Sequence, residues 1–167
     1  MFAFEARPDL RRYAKVEETI CGVLKFPEDR LCTFQCSVGT APVSDLRIVG
    51  TKGDLFIESA FDYAEGMTRH LTINEKTTSK RFPKQDQFAP ELVYFSNCIL
   101  KRREPEPSGQ EGLLDVRIIR ALHISASSGK AVSLAPIEKR KRPVLAQAMT
   151  KPPVVEPREI HAEGPGG

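Results

Sequence analysis

Apolar residues alternate with polar or small ones through the first half of the chain. Ile20, Gly22, Leu24 and Phe26 interleave with Thr19, Cys21, Val23 and Lys25, and after Pro27-Glu28-Asp29-Arg30 the alternation resumes with Cys32, Phe34, Cys36 and Val38 on one side. A period of two is that of a pleated strand, so the pattern predicts a β-hairpin with strands over 16–26 and 31–38. Closing its loop between Phe26 and Leu31 sets Cys21 opposite Cys36 on a shared face. It also places Ile20, Leu24 and Phe26 on one side and Val23, Phe34 and Val38 on the other. Leu46-Arg47-Ile48-Val49 and Asp54-Leu55-Phe56-Ile57-Glu58 flank Gly50-Thr51-Lys52-Gly53, whose glycines permit the positive φ of a tight turn, and a second hairpin follows. His70-Leu71-Thr72-Ile73-Asn74 predicts one more strand, before a polar, Lys-rich stretch that ends at Pro83.

At Asp86 the period changes. Phe88, Leu92, Phe95 and Ile99 recur at spacings of four, three and four, which predicts an amphipathic helix with Asp86 as its N-cap. Lys101-Arg102-Arg103 suits the negative end of that helix's dipole, and Glu104-Pro105-Glu106-Pro107-Ser108-Gly109 breaks it. A second helix is predicted from about Glu111 to Ser128, with Leu114, Ile118, Leu122 and Ser125 on one face and Gly129 as its stop. Ala131-Val132-Ser133-Leu134 predicts a last short strand. From Pro136 onward the periodicity ends, and six of the 13 prolines fall in this segment. Such a sequence forms no core of its own and is expected to be extended, loose in solvent or laid over another surface. The organisation is therefore one α+β domain over 1–135, an open, mostly antiparallel sheet with two helices packed on one face, and an extended Pro-rich basic tail over 136–167.

Composition narrows the function. A length of 167 residues with 40% hydrophobic content allows one domain with a core. The net charge of +3 owes more than its whole excess to Lys139-Arg140-Lys141-Arg142, four consecutive cations. The globular part thus lacks the basic face that neutralises many phosphates, and no nucleic-acid partner is expected. The run itself reads as solvated tail. No apolar run approaches the roughly 20 residues of a membrane span, and no secretory signal opens the chain. A cytoplasmic protein without a membrane partner is expected. Cys21, Cys32, Cys36 and Cys98 include no CxxC pair and no zinc-ligand spacing, so no metal site is predicted and the thiols read as small, reduced side chains.

Several segments together carry a resemblance. Val16-Glu17-Glu18-Thr19, Gly22-Val23-Leu24-Lys25-Phe26-Pro27, Thr33-Phe34-Gln35-Cys36-Ser37 and Arg47-Ile48-Val49-Gly50-Thr51-Lys52-Gly53 come first. Asp86-Gln87-Phe88-Ala89-Pro90-Glu91-Leu92 with Tyr94-Phe95-Ser96, and 105–117 from Pro105 to Arg117, follow in order. In order and spacing they resemble the carboxy-terminal domain of the glucose-fructose oxidoreductase (Gfo/Idh/MocA) family over about 1–135. The resemblance implies an NAD(P)-dependent oxidoreductase that acts on a sugar or polyol set between this sheet lobe and a dinucleotide-binding Rossmann lobe. It also implies a homodimer formed through the sheet face.

The eleven glycines contain no GxGxxG, and the family's lysine in an EKP-type motif has no counterpart here. Its aspartate and histidine at the opening of the second lobe should lie just before residue 1. The expectation is that this chain, taken alone, has no catalytic and no cofactor-binding residues and holds no cofactor; the resemblance places NAD or NADP on the Rossmann lobe of the full-length family, with a Rossmann-lobe protein as a candidate partner. His70, His123 and His161 read as ordinary histidines on a strand, a helix and the tail, with no catalytic partner recognisable near them. The candidates for substrate contact are Asp86 and Gln87, whose side chains suit hydroxyl recognition, with helix capping as the plainer role of Asp86. Tyr94 reads as a packing residue with its hydroxyl at the margin. The reading from a different class is a non-catalytic binding or assembly module that keeps the sheet domain for dimerisation.

Overall fold

The computed structural model of the chain describes residues 1–136 and 143–149. The basic run Lys139 to Arg142, His161 and most of the predicted tail lie outside the described residues. Among the described residues seven strands come first: β1 (Phe2–Ala6), β2 (Thr19–Lys25), β3 (Leu31–Ser37), β4 (Leu46–Gly50), β5 (Gly53–Glu58), β6 (Met67–Ile73) and β7 (Lys76–Phe82). Two helices follow, α1 (Phe88–Leu100) and α2 (Gly109–Ser128). Every strand pairing is antiparallel, and the class is α+β as the periodicities predict. Hydrogen bonding divides the strands into two sheets, β1-β2-β3 and β4-β5-β6-β7. The chain forms two compact units, one built on Met1–Ser44 with the segment from Glu104, the other on Asp45–Arg103 with the segment from Val144.

In the first unit the β2-β3 register differs from the expected one by a residue. Lys25 pairs with Leu31, Ile20 with Cys36 and Cys21 with Gln35, so Cys21 and Cys36 lie on opposite faces. The reason is the loop. Phe26 does not pair with Leu31; its N–H donates to the carbonyl of Arg30 at 2.8 Å, and Glu28 and Asp29 turn the chain with φ of 61° and 55°. Because the side-chain period is two, a slip of one residue moves a whole strand's side chains to the other face. Phe34 therefore pairs with Gly22 and shares a face with Ile20 and Leu24, not with Val23. Gly22 is needed there, since a Cβ would stand 3.0 Å from the Phe34 ring and 2.8 Å from the Phe2 carbonyl oxygen.

That face, continued by Ala3 of β1, is the one α2 covers. Helix formation is set by local chemistry at both ends: the Ser108 N–H donates to the Glu111 side chain, and Gly129 adopts φ 64° while its N–H donates to the Ser125 carbonyl. Ala121, Leu122 and Ser125 are buried and Leu114 and Ile118 half-buried, the face the spacing predicts. Ser125 is fully enclosed, and its hydroxyl accepts from the Ala3 N–H at 3.1 Å and donates to the Lys130 carbonyl at 2.7 Å. Residues 131–134, expected as a strand, form none. Val132 instead exchanges two backbone hydrogen bonds with Met1, at 2.8 and 2.9 Å. The pattern does not announce β1, because its covered face carries small Ala3 and charged Glu5 while Phe4 points away, exposed.

In the second unit the predicted β4-β5 hairpin forms with Gly50 paired to Gly53. Gly53 has φ 154°, and a Cβ on it would lie 1.8 Å from the Thr72 carbonyl oxygen, a separation no side chain tolerates. The Lys-rich stretch read as connecting chain is the edge strand β7, joined to β6 through Asn74 and Glu75 at φ 47° and 64°. Its charged side chains, Lys76, Lys80 and Arg81, discourage pairing of this edge with other chains, and its polar composition leaves no apolar alternation to announce it. One face of this sheet carries Leu46, Leu55, Ile57, Leu71 and Ile73. The other carries Arg47, Asp54, Phe56, Glu58, His70, Thr72 and Ser79.

α1 begins where expected. The Asp86 carboxylate accepts from the N–H groups of Phe88 and Ala89 at 2.9 and 3.0 Å. Its apolar stripe has a different fate from the one expected: Phe88, Leu92, Phe95 and Ile99 are all exposed, Leu92 to 67%, and do not cover a sheet face. Only Cys98 on this helix is buried. The cysteines are free thiols, with Cys36 exposed. Among the described residues no helix is long and apolar enough to cross a membrane.

Candidate functional site

Two sets of polar side chains are built by the fold, one in each unit. In the second unit the predicted substrate residues sit at the amino end of α1. Asp86 spends its Oδ1 on capping, so the plainer role foreseen for it is filled. Gln87 is exposed beside it with helical φ and ψ of −90° and −28°. Phe88 meets Tyr63 edge to face at 5.8 Å between ring centroids, and both rings are exposed. An aromatic edge next to an exposed amide is chemically suited to a polyol, whose C–H face packs on a ring while its hydroxyls find the amide. Tyr94 is half-buried, as its packing role requires. Its hydroxyl accepts from Gln147 at 3.1 Å and the Arg103 guanidinium lies 5.4 Å above its ring.

His70 stands on the polar sheet face of the same unit, in a row with Phe56 and Ser79 set by the register. Its ring stacks on Phe56 at 5.9 Å, Nδ1 lies 2.8 Å from the Ser79 hydroxyl, and Nε2 is 3.5 Å from Glu58, an ion-pair rather than a hydrogen-bond distance.

The second set, in the first unit, was not legible in the sequence. The sequence shows no catalytic partner near His123. In the structure its Nδ1 lies 2.6 Å from Glu5 Oε1 and its Nε2 3.7 Å from Glu17 Oε1. Glu5 reaches it from β1 and Glu17 from the segment leading into β2, and one ligand atom from each of the three lies within 4.8 Å of the others. The residues 118 apart in sequence meet because β1 packs on α2, and β1 was the strand the pattern missed. Glu5 also pairs with Arg7 at 3.0 Å through its other oxygen. Alongside runs a groove of about 430 Å³, with Val116, Ile119, Arg120 and Ile124 among its lining residues.

Comparison with known proteins accounts for the architecture. A model of the oxidoreductase family's C-terminal alpha/beta domain, GFO_IDH_MocA_C, matches residues 1–134. The D-xylose 1-dehydrogenase (NADP+) of Haloarcula marismortui is 29% identical over 111 residues, which are 66% of this chain and 31% of that protein. In the crystal structure of an aldose-aldose oxidoreductase from Caulobacter crescentus complexed with glycerol, a matching region aligns with a TM-score of 0.70 and 29% identity. That match covers 80% of this chain and 40% of the solved one. The chain thus spans less than half the length of either relative. With the family model covering both sheets and both helices, the chain belongs to the Gfo/Idh/MocA oxidoreductase family, as its C-terminal α/β domain.

Proposed function

We propose that this chain is the substrate-side and oligomerisation lobe of an NAD(P)-dependent oxidoreductase acting in the cytoplasm on a sugar or polyol. The observation that carries the reading is the family match across 1–134, supported by two relatives whose names specify D-xylose and aldose substrates. In this reading hydride transfer and proton transfer belong to a Rossmann lobe, whose helix amino terminus and glycine-rich turn would hold the dinucleotide pyrophosphate. This chain's part is to present Gln87 and the Tyr63-Phe88 edge to the sugar, with Asp86 keeping that corner rigid.

The test is a titration of the isotope-labelled 167-residue chain with D-xylose, D-glucose and glycerol, followed by amide NMR, with NADH and NADPH fluorescence in parallel. The expected result is millimolar, sugar-dependent shifts at Gln87 and Phe88 that Gln87→Ala abolishes, together with no saturable nucleotide binding. Micromolar NAD(P)H binding, or sugar shifts that ignore the Gln87 substitution, would refute it.

A second reading, a non-catalytic assembly module that dimerises through its sheet, draws on the face of β1-β2-β3 turned away from α2. Phe4, Val23 and Leu31 are exposed there, Phe4 to 63%. Contiguous exposed apolar side chains favour association. Sedimentation over a wide concentration range separates the outcomes: a dimer without sugar binding supports this second reading, and a monomer at high concentration removes the dimer from both.

A further inference from the structure

Beyond the sugar-oxidoreductase reading, and independently of it, we propose that His123 and Glu17 form a binding site for a divalent transition-metal ion of the zinc type. Glu5 is the positioning residue that orients the imidazole. The sequence offers no metal-ligand spacing; the site is a product of the packing of β1 and α2.

The argument starts from the proton on the ring. An ionised carboxylate only accepts hydrogen bonds, so the 2.6 Å contact of Glu5 Oε1 with Nδ1 assigns the proton to Nδ1. In the neutral imidazole the lone pair then lies on Nε2, and Nε2 faces Glu17 Oε1 across 3.7 Å. Two acceptors this close repel unless a proton, a water that donates to both or a metal ion stands between them. A proton on Nε2 leaves only an ion pair at 3.7 Å, longer than the roughly 2.7–2.9 Å of a charge-assisted N–H···O bond. A metal ion fits well, since zinc-type bonds of about 2.0–2.1 Å to each atom span 3.7 Å at an N–metal–O angle of roughly 125°.

The surrounding charges support that assignment of roles. Arg7 occupies the other Glu5 oxygen at 3.0 Å, which leaves Oε1 for the imidazole and makes Glu5 a poor direct ligand. A carboxylate that accepts the far N–H of a ligating histidine fixes its tautomer and raises its basicity. Glu5 is held for this by both neighbours and is only 15% exposed. The ring of His123 is 40% exposed and Glu17 24%, so water has access to complete the coordination. A site with one nitrogen and one oxygen ligand selects ions that accept imidazole, such as zinc or cobalt, over magnesium or calcium. Two protein ligands among the described residues make it a readily exchanging site rather than a closed structural one. His123 also lines the groove flanked by Val116, Ile119 and Arg120, which places any further ligand of the ion against an apolar wall with a cation beside it.

The probe is Co(II), added to the 167-residue chain at neutral pH and followed by visible absorption. The expected result is saturation at one ion per chain, reversal by Zn(II), and no thiolate-to-metal charge-transfer band. Glu17→Gln and His123→Ala each weaken binding by at least about tenfold, and Glu5→Gln by a similar factor although it leaves both ligands in place. Circular dichroism checks that each variant keeps its fold. Should His123→Ala unfold, Glu17→Gln carries the test, because Glu17 lies outside the strands. In the Co(II) form an exchangeable, paramagnetically shifted imidazole N–H resonance reports the proton on Nδ1, and a purely structural role for Glu5 would not move it. Binding that Glu17→Gln leaves unchanged overturns the proposal. A thiolate band that disappears in a Cys32→Ser, Cys36→Ser variant overturns it too, as does the lack of saturation below about 1 mM.

Discussion

α1 and α2 both carry apolar stripes in sequence, the stronger on α1, and the fold covers only the weaker one. α2 lays Leu114, Ile118, Ala121, Leu122 and Ser125 against the sheet of the first unit and encloses Ser125 completely. α1 keeps Phe88, Leu92, Phe95 and Ile99 in solvent and buries Cys98. A helical period states which face is apolar and says nothing about what covers it. The two units also differ in what holds them. The first has a small buried core in which a serine hydroxyl ties strand to helix. In the second, backbone ladders run through four strands, with two tight turns at Gly50–Gly53 and Asn74-Glu75. The exposed stripe of α1 and the aromatic edge at its amino end therefore leave the second unit with apolar surface to offer a partner or a substrate, as the outer face of β1-β2-β3 does in the first.

Substitutions grade this contrast. Leu122→Ala removes a side chain from the core of the first unit and should cost about 2–5 kcal/mol in chemical denaturation. A cost under 1 kcal/mol would mean that the sheet and α2 are not packed as described. In the second unit the most damaging single change is in the backbone. Gly53→Ala forces a Cβ into the Thr72 carbonyl at an unfavourable φ, and a loss of roughly 2–4 kcal/mol is expected, read from the denaturation midpoint and from faster amide exchange in β5 and β6. Leu92→Ser, on the exposed stripe of α1, should change stability by no more than about 0.5 kcal/mol. If it costs as much as Leu122→Ala, the stripe is covered in solution and the contrast between the helices fails. If it also shifts the sedimentation coefficient, the cover is a second copy of the chain.

Much of the fold was legible because its signals are local. Alternation placed β2, β3, β4, β5 and β6 to within a few residues, since an antiparallel strand with one covered face must alternate. Asp86 and Gly129 marked helix ends because unpaired backbone N–H groups need an acceptor and a left-handed residue favours glycine. The Gly50 to Gly53 turn was readable for the same reason. Signals that depend on context were lost. β7 looks like a polar linker because both of its faces are polar and exposed up to Phe82. β1 covers Ala3 and Glu5 and leaves Phe4 exposed, against its apolar alternation. A single hydrogen bond between Phe26 and Arg30 moved the β3 register by one residue, turned Phe34 toward α2, and separated Cys21 from Cys36.

The site divides along the same line. Asp86 and Gln87 were found because they adjoin a recognisable helix start, a local feature, and the structure keeps them together with Phe88 and Tyr63. Nothing in the sequence brought Glu5, Glu17 and His123 together. Taken by itself the sequence determined which segments are strand or helix, where α1 and α2 begin and end, and, through the order of its segments, the family. Tertiary structure decided the register of β3, the strand role of 76–82, which helix face is covered, and the meeting of one histidine with two carboxylates. The reason is physical: periodicity and capping are written within a few residues, whereas register, burial and side-chain clusters depend on contacts between segments far apart in the chain.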